Sequence, residues 1–284
     1  MSLRDRDLAK RLARRLKAVY IETETKIFQD GESKITLQKI PKKSVILVVQ
    51  STYPPVDTNM LQALSIISQV RKISSRTFAI IPYMGYARQD KQFLSGEVIT
   101  MSVVAKMLQS AGAKKVIVVD IHSNTALNHF NIPTENISAV PELANYFKKL
   151  NLKNPLVVSP DVGGSSRSKK FASLLKSDFI VLKKHRDRKT GRVSIQTTKV
   201  DVQGKDLIIV DDMISTGGSV IKAAQFLKKQ KCKRVFVACT RGLFVGDAEK
   251  RIKKAGVTRI ISTNTIPRNT SKVDVSGVIV ESIQ

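Results

Sequence analysis

Tryptophan is absent from this 284-residue chain, and cysteine occurs only at Cys232 and Cys239. Two cysteines build neither a disulfide framework nor a four-ligand zinc site. Aromatic residues make up 5% of the chain. That is too few to interleave with the basic residues and stack bases, so nucleic acid is not expected as the main partner. Long apolar runs are also missing, because the stretches at 45–49 and 116–119 fall far short of the ~20 residues that cross a bilayer. The start of the chain, MSLRDRDLAKRLARRL, carries charge throughout and has no apolar centre, unlike a secretory signal. Acidic residues are scarce: 23 Asp and Glu against 49 Lys and Arg leave a formal net charge of +26. Such a surplus attracts polyanions, phosphorylated metabolites among them. These absences fit a soluble cytoplasmic protein with no membrane partner.

What is present is enough to build cores: 42% of the residues are hydrophobic. At roughly 100–200 residues per domain the length allows about two domains. Short β-branched runs at 45–49, 78–81, 116–119, 156–158, 179–182, 207–210, 235–238 and 259–261 alternate with helical patterns at 59–70, 101–110, 165–175, 219–229 and 247–255. That alternation predicts α/β domains with mainly parallel sheets flanked by helices. Ser219 and Asp247 are expected N-caps, and Gly112 and Gly256 expected helix stops.

The order repeats. Strand 45–49, helix 59–70, strand 78–81, helix 101–110 and strand 116–119 match 207–210, 219–229, 235–238, 247–255 and 259–261. The basic helix at 8–16 matches 165–175. A duplicated α/β domain follows, with domains at 1–145 and 146–284 and a boundary between Pro141 and Pro155. One element has no partner. A strand at 156–158 leads into helix 165–175, whereas the helix at 8–16 has no strand before it. The first sheet is therefore expected to have an unfilled strand position. Unless a neighbouring segment covers the gap, or the upstream reading frame supplies the strand, the first domain is expected to be the less stable one.

Chemistry concentrates in LIIVDDMISTGGS, at 207–219. An apolar strand ends in Asp211 and Asp212, and a loop of Ser215, Thr216, Gly217 and Gly218 opens a helix at Ser219. Loop N–H groups and a helix N-terminus cradle an anion, and glycine lets the backbone approach it. The hydroxyls add donors, while the two acids accept from sugar hydroxyls. The pattern suits a sugar phosphate.

This segment resembles the phosphoribosyl-pyrophosphate loop of type I phosphoribosyltransferases and their relatives. Other segments narrow the resemblance to ribose-phosphate pyrophosphokinases. Phe28-Gln29-Asp30-Gly31-Glu32 is similar to their F-x-D-G-E. Tyr86-Ala87-Arg88-Gln89-Asp90-Lys91 is similar to Y-x-R-Q-D-K/R, and Asp120-Ile121-His122-Ser123 to D-L-H-x. Ser159-Pro160-Asp161-Val162-Gly163-Gly164 is similar to S-P-D-x-G-G, with Val162 where a small residue is common. Lys184-His185-Arg186 is similar to the K-x-R of a flexible catalytic loop, although Lys183 shifts the register by one. The short chain and the Lys-x-Arg-Asp-Arg loop look closest to archaeal members.

The resemblance implies two phosphoribosyltransferase-like domains and synthesis of 5-phosphoribosyl 1-pyrophosphate and AMP from MgATP and ribose 5-phosphate. It implies ATP binding by Phe28, Asp30, Glu32, Arg88, Gln89, Asp90 and His122. It also implies ribose 5-phosphate binding at Asp211–Ser219, a pyrophosphate turn at Asp161, Gly163 and Gly164, and Mg²⁺ contacts from His122 and Asp161. Lys184 and Arg186 would be catalytic. Phe28–Glu32 would reach a neighbouring subunit, which requires at least a dimer. On its own residues, 28–32 also reads as an Asp-Gly hairpin turn, and 183–192 as a solvated basic hairpin. A plain phosphoribosyltransferase would share only the 211–219 loop. A silent regulatory homologue would be expected to have lost the lid cations or His122.

Overall fold

The computed structural model describes residues 5–41, 44–186, 193–195 and 200–283, with backbone alone for 5–6, 184–186 and 193–195. In chain order it runs α1 (Asp5–Arg15), β1 (Thr23–Ile27), β2 (Ser33–Leu37), β3 (Ile46–Val49), α2 (Val56–Arg71), β4 (Thr77–Ile81), α3 (Thr100–Ala111), β5 (Lys115–Val119) and β6 (Thr134–Ile137). It continues through α4 (Val140–Lys148), β7 (Leu156–Ser159), α5 (Ser165–Leu175), β8 (Asp178–Val181), β9 (Lys184–Arg186), β10 (Val193–Ile195), β11 (Asp206–Ile214), α6 (Gly218–Lys229), β12 (Arg234–Gly242), α7 (Ala248–Lys254), β13 (Arg259–Thr263), β14 (Ser271–Val273) and α8 (Ser276–Glu281). Two compact units result: residues 1–138, 265–267 and 275–284, and residues 139–264 and 268–274.

The second unit holds a six-stranded parallel sheet in the order β14-β13-β12-β11-β7-β8. Successive side chains of a strand point to opposite faces, so an apolar run feeds two cores. Leu207, Ile209 and Val237 pack with Leu227 of α6 and Ile252 of α7. Ile208, Val210 and Phe236 pack with Phe147 of α4 and Phe171 of α5. Phe147 sits edge-on to Phe171 and Phe236, with ring centroids 5.6 and 6.2 Å away. Both faces being covered explains why β11 and β12 read as continuous hydrophobic runs.

The first unit holds a four-stranded parallel sheet, β3-β4-β5-β6. Val48, Ile81 and Val116 pack with Ile67 of α2 and Leu108 of α3. Helix α1 packs beside β3 and α8, and Arg15 Nε donates to Ser276 Oγ at 2.9 Å. The β1–β2 hairpin is a separate antiparallel pair.

Two parallel sheets with the repeated order β3-α2-β4-α3-β5 and β11-α6-β12-α7-β13 match the expected fold class. Among the described residues β3 pairs with β4 alone and so stands at the edge of its sheet, with α1 running from Asp5. A groove of about 530 Å³ lies along β3, lined among others by Leu12, Leu16, Tyr20, Val45 and Val49.

Some local expectations need correction. Ser219 does not cap α6. The helix opens one residue earlier, with Gly217 as N-cap at φ 76°, because a left-handed residue is needed to turn the chain out of β11. Asp247 does sit at an N-cap but makes no side-chain cap bond; its carboxylate pairs instead with Arg251 Nε, 2.8 Å away.

Candidate active site

In the second unit, β11, β7 and α5 bring the acids and the turns together. β7 pairs with β11 in parallel, so both release their loops at the same sheet edge, where sites in α/β sheets lie. After β7, Asp161 builds a tight turn: its carbonyl accepts from Ser159 Oγ at 2.7 Å and its Oδ1 accepts from Gly164 N–H at 3.1 Å. A Cβ on Gly164 would lie 3.0 Å from Ser159 Oγ and 3.8 Å from Arg167 Nη1. The turn then enters α5, where Arg167 Nη1 sits 3.6 Å from Asp212 Oδ1 and 4.0 Å from Asp211 Oδ1.

Asp212 is buried, and its Oδ2 pairs with Nη2 of the fully buried Arg241. Asp211 Oδ1 accepts from the Asp212 N–H at 2.8 Å. Burial, then the neighbouring Asp212 carboxylate and its hydrogen bond, push Asp211 up to about 7; Arg167 acts against the rise and Asp161 adds to it. Cys239 lies buried beside the pair, and burial together with both acids keeps its thiol neutral.

The loop after β11 is fixed from outside. Ser215 carbonyl accepts from Val245 N–H at 3.1 Å, and Thr216 carbonyl accepts from Arg251 Nη2 at 3.0 Å. Both carbonyls are thereby engaged, and the loop opens directly into the first turn of α6, the end of a helix that favours anions. Gly217 packs under this turn: a Cβ there would meet Ile252 Cδ1 at 2.8 Å. Arg167, Arg241 and Arg251 escaped sequence reading. Arg241 carried the one usable signal, a cation ending an apolar strand that neighbours the diacid strand.

In the first unit, β4 and β5 are adjacent and parallel, and their following loops leave the same edge. Arg88 and Gln89 are exposed there and Asp90 is buried. The Asp90 carbonyl accepts from His129 Nε2 at 2.7 Å, which ties the two loops together. His122 is exposed two residues beyond Asp120, itself left-handed at φ 44°. Phe28–Glu32 forms the turn of the β1–β2 hairpin, as its Asp-Gly pair predicted. Phe28 N–H donates to the Glu32 carbonyl at 2.8 Å, and Glu32 N–H to Asp30 Oδ1 at 3.1 Å. Phe28, Asp30 and Glu32 are all exposed. Lys184 and Arg186 are placed by backbone only: β9 pairs antiparallel with β10, Arg186 opposite Val193. Their side chains, and residues 187–192, lie outside the described residues.

Among the described residues no helix is long and apolar enough to cross a membrane. No group of three or more His, Cys, Asp or Glu side chains there could hold a metal ion. Asp161 carries the carboxylate oxygens that a hard cation such as Mg²⁺ takes as ligands.

Residues 2–112 match the family model for the N-terminal domain of ribose phosphate pyrophosphokinase, and residues 194–284 that for the phosphoribosyl synthetase-associated domain. The ribose-phosphate pyrophosphokinase of Pasteurella multocida is 36% identical over 98% of this chain and 92% of its own. The chain belongs to the ribose-phosphate pyrophosphokinase family. The enzyme of that name from Sulfurisphaera tokodaii is also 36% identical, over 93% of this chain and 92% of its own. The crystal structure of phosphoribosylpyrophosphate synthetase from Mycobacterium smegmatis superposes with a TM-score of 0.85 at 28% identity, covering 98% of this chain and 94% of that one. Members of this family are transferases, and the two sheets described above are the fold they share.

Proposed function

We infer that this chain is a ribose-phosphate pyrophosphokinase, moving the β,γ-diphosphoryl group of MgATP to the 1-hydroxyl of ribose 5-phosphate. The observation that carries the reading is the loop after β11, which sets two acids beside an anion cradle on one sheet edge. The 5-phosphate binds the N–H groups and hydroxyls of Ser215–Ser219, and the ribose hydroxyls donate to Asp211 and Asp212. The sugar is thereby held at both ends.

The 1-hydroxyl oxygen attacks the β-phosphorus. The bond from that phosphorus to the bridging α,β-oxygen breaks, AMP leaves with the electron pair, and the hydroxyl proton is released. No protein nucleophile takes part. The turn at Asp161, Gly163 and Gly164 receives the migrating pyrophosphate, with Arg167 behind it. Arg88, Gln89, Asp90 and His122 bind the ATP phosphates. Phe28, Asp30 and Glu32 take the adenine ring, the hairpin tip reaching a second subunit, so the working form is at least a homodimer. His122 and Asp161 are the residues that would each hold Mg²⁺, which would supply neutralisation of charge on the phosphates. Lys184 and Arg186 close over the transferring group and stabilise its transition state. Substrates and product are those of cytoplasmic nucleotide biosynthesis, and the +26 charge favours such phosphorylated ligands.

The test is a coupled assay of AMP release from MgATP, with and without ribose 5-phosphate. AMP that appears only with the sugar phosphate supports the reading. Release of AMP independent of it, or none at all, sinks it.

A further inference from the structure

Resting on that reading, the two loops of the first unit that take the ATP phosphates are joined by one side chain. The loop after β4 carries Arg88 and Gln89, both exposed, and the buried Asp90. Two of its ties are close in sequence: Gln89 N–H donates to the Tyr86 carbonyl at 2.8 Å, and the Gln89 carbonyl accepts from Met101 N–H of α3 at 3.1 Å. The next carbonyl, that of Asp90, accepts from His129 Nε2 at 2.7 Å, 39 residues further along the chain.

His129 ends a short 3₁₀-helix, Asn124–His129, which begins two residues after His122. Side chains three apart in such a helix lie on one face. Ala126 is fully buried, so His129 shares an inward face, where it is half-buried. The start of this helix is fixed as well. Asn136 of β6 accepts from Ile121 N–H through Oδ1 at 2.9 Å and donates from Nδ2 to Asn124 Oδ1 at 3.1 Å. One amide thus spans the chain on both sides of His122, and one imidazole ties the far end of the helix to the Arg88–Asp90 loop. The partner of Nε2 is a carbonyl, so Nε2 is the donor. Phenylalanine fills a similar volume without that donor, and glutamine supplies one.

We propose that His129 is a positioning residue for MgATP: through the Asp90 carbonyl it couples the loop of Arg88 and Gln89 to the loop of His122, so that both meet the triphosphate together. Without the link each loop is ordered separately when the nucleotide binds, and affinity falls by the entropy of that ordering.

The test measures MgATP and ribose 5-phosphate affinities by calorimetry on the full chain, with thermal unfolding alongside. His129→Phe should weaken MgATP binding about tenfold, the scale of one well-placed hydrogen bond, leave ribose 5-phosphate affinity within about twofold, and unfold near the wild-type temperature. His129→Gln restores a donor and should bind MgATP within about twofold of wild type. In a His122→Ala background nothing on the second loop is left to align, so His129→Phe should add less than about twofold. Should His129→Phe not fold, His129→Asn, whose amide is too short to reach the Asp90 carbonyl, takes its place. Wild-type MgATP affinity in His129→Phe, failure of His129→Gln to restore it, or a loss that adds in full to that of His122→Ala overturns the proposal. If the wild-type chain itself binds no MgATP, the functional reading has failed, and the proposal with it.

Discussion

β11 and β3 hold the same place in the two copies of the repeated order, yet among the described residues β11 lies between two strands and β3 has one neighbour. The consequences show residue by residue. Leu207, Ile208, Ile209 and Val210 are fully buried, whereas in β3 only Val48 is buried and Ile46, Leu47 and Val49 are half-buried. Full burial of such a side chain contributes ~1.5–3 kcal/mol, so an open edge forgoes part of that at three positions. It also leaves a row of backbone groups without strand partners. A sheet is therefore only as stable as its local neighbours make it, even when the same sequence pattern builds it twice.

The largest effect we expect concerns the reaction rather than the edge. If catalysis rests on the charges of the second unit, Lys184→Ala or Arg186→Ala should lower kcat by about two to four orders of magnitude with modest effects on KM. A variant that keeps near wild-type kcat means the residue is misassigned, with Lys183 the first replacement for Lys184.

Next comes a change that reverses the stability ranking. Asp206 is fully buried, accepts from Arg234 Nε at 2.9 Å and from Lys153 N–H at 2.7 Å. Burial alone raises its carboxyl, but the hydrogen bonds from Arg234 and Lys153 and the charges of Arg234 and Lys233 outweigh burial and hold it below its usual value. A depressed acid contributes stability above its unfolded value near 4 and loses it as pH falls. Arg234→Met strands the charge and should cost about 3 kcal/mol, the low end for a broken buried pair, because the Arg234 side chain is itself 36% exposed. Chemical denaturation at neutral pH would read the loss. A change under ~1 kcal/mol, the scale of a surface pair, would mean the pair is a surface contact in effect.

Gly217→Val separates the two units by ligand. The residue sits at φ 76° with Ile252 2.8 Å from any added Cβ, and such strain costs ~1–3 kcal/mol before the clash is counted. Ribose 5-phosphate affinity should fall about a hundredfold, while MgATP still binds. Loss of both affinities together would mean the chain has misfolded.

The comparison itself is read by native-state hydrogen exchange. Amides of β3 and β5 should exchange about tenfold faster than those of β7 and β11, each tenfold step being ~1.4 kcal/mol of local stability. Placing residues 155–164 a second time ahead of Asp5 would offer β3 the strand and turn that β11 already has, and should narrow the gap. Slower exchange in the first unit than in the second would refute the ranking.

Much of this was legible in the sequence, and the limits are physical. Strands buried on both faces, such as 207–210 and 235–238, announce themselves as unbroken apolar runs, and comparing the two copies pointed to β3 as an edge strand among the described residues. Thr23–Ile27, Ser33–Leu37 and Thr134–Ile137 escaped because they are mostly polar, TETKI, SKITL and TENI, so no apolar run marks them. The acids and glycines of 211–219 could be read because their spacing within one loop carries the chemistry. Arg241 and Arg167 could not, since their meaning lies in what folds against them from β12 and α5.

The smallest effect, and the sharpest probe of the diacid, is its pH dependence. Asp211 is raised to about 7, so the native state holds its proton more tightly than the unfolded chain does. The sign for stability is then opposite to that of Asp206: this group favours the fold below ~4, and its contribution is lost as pH rises through 7. For the ligand the direction reverses, because only the ionised acid accepts from hydroxyls with both oxygens. Ribose 5-phosphate affinity should rise by somewhat under tenfold between pH 6 and pH 8, as the ionised fraction climbs from about one tenth to about nine tenths. The sugar's own phosphate also titrates in this range, so Asp211→Asn is the control, and whatever slope it retains belongs to the ligand. Equal slopes in wild type and Asp211→Asn would show that Asp211 is already ionised at pH 6. The cations around it, Arg167 foremost, would then outweigh burial and the neighbouring Asp212.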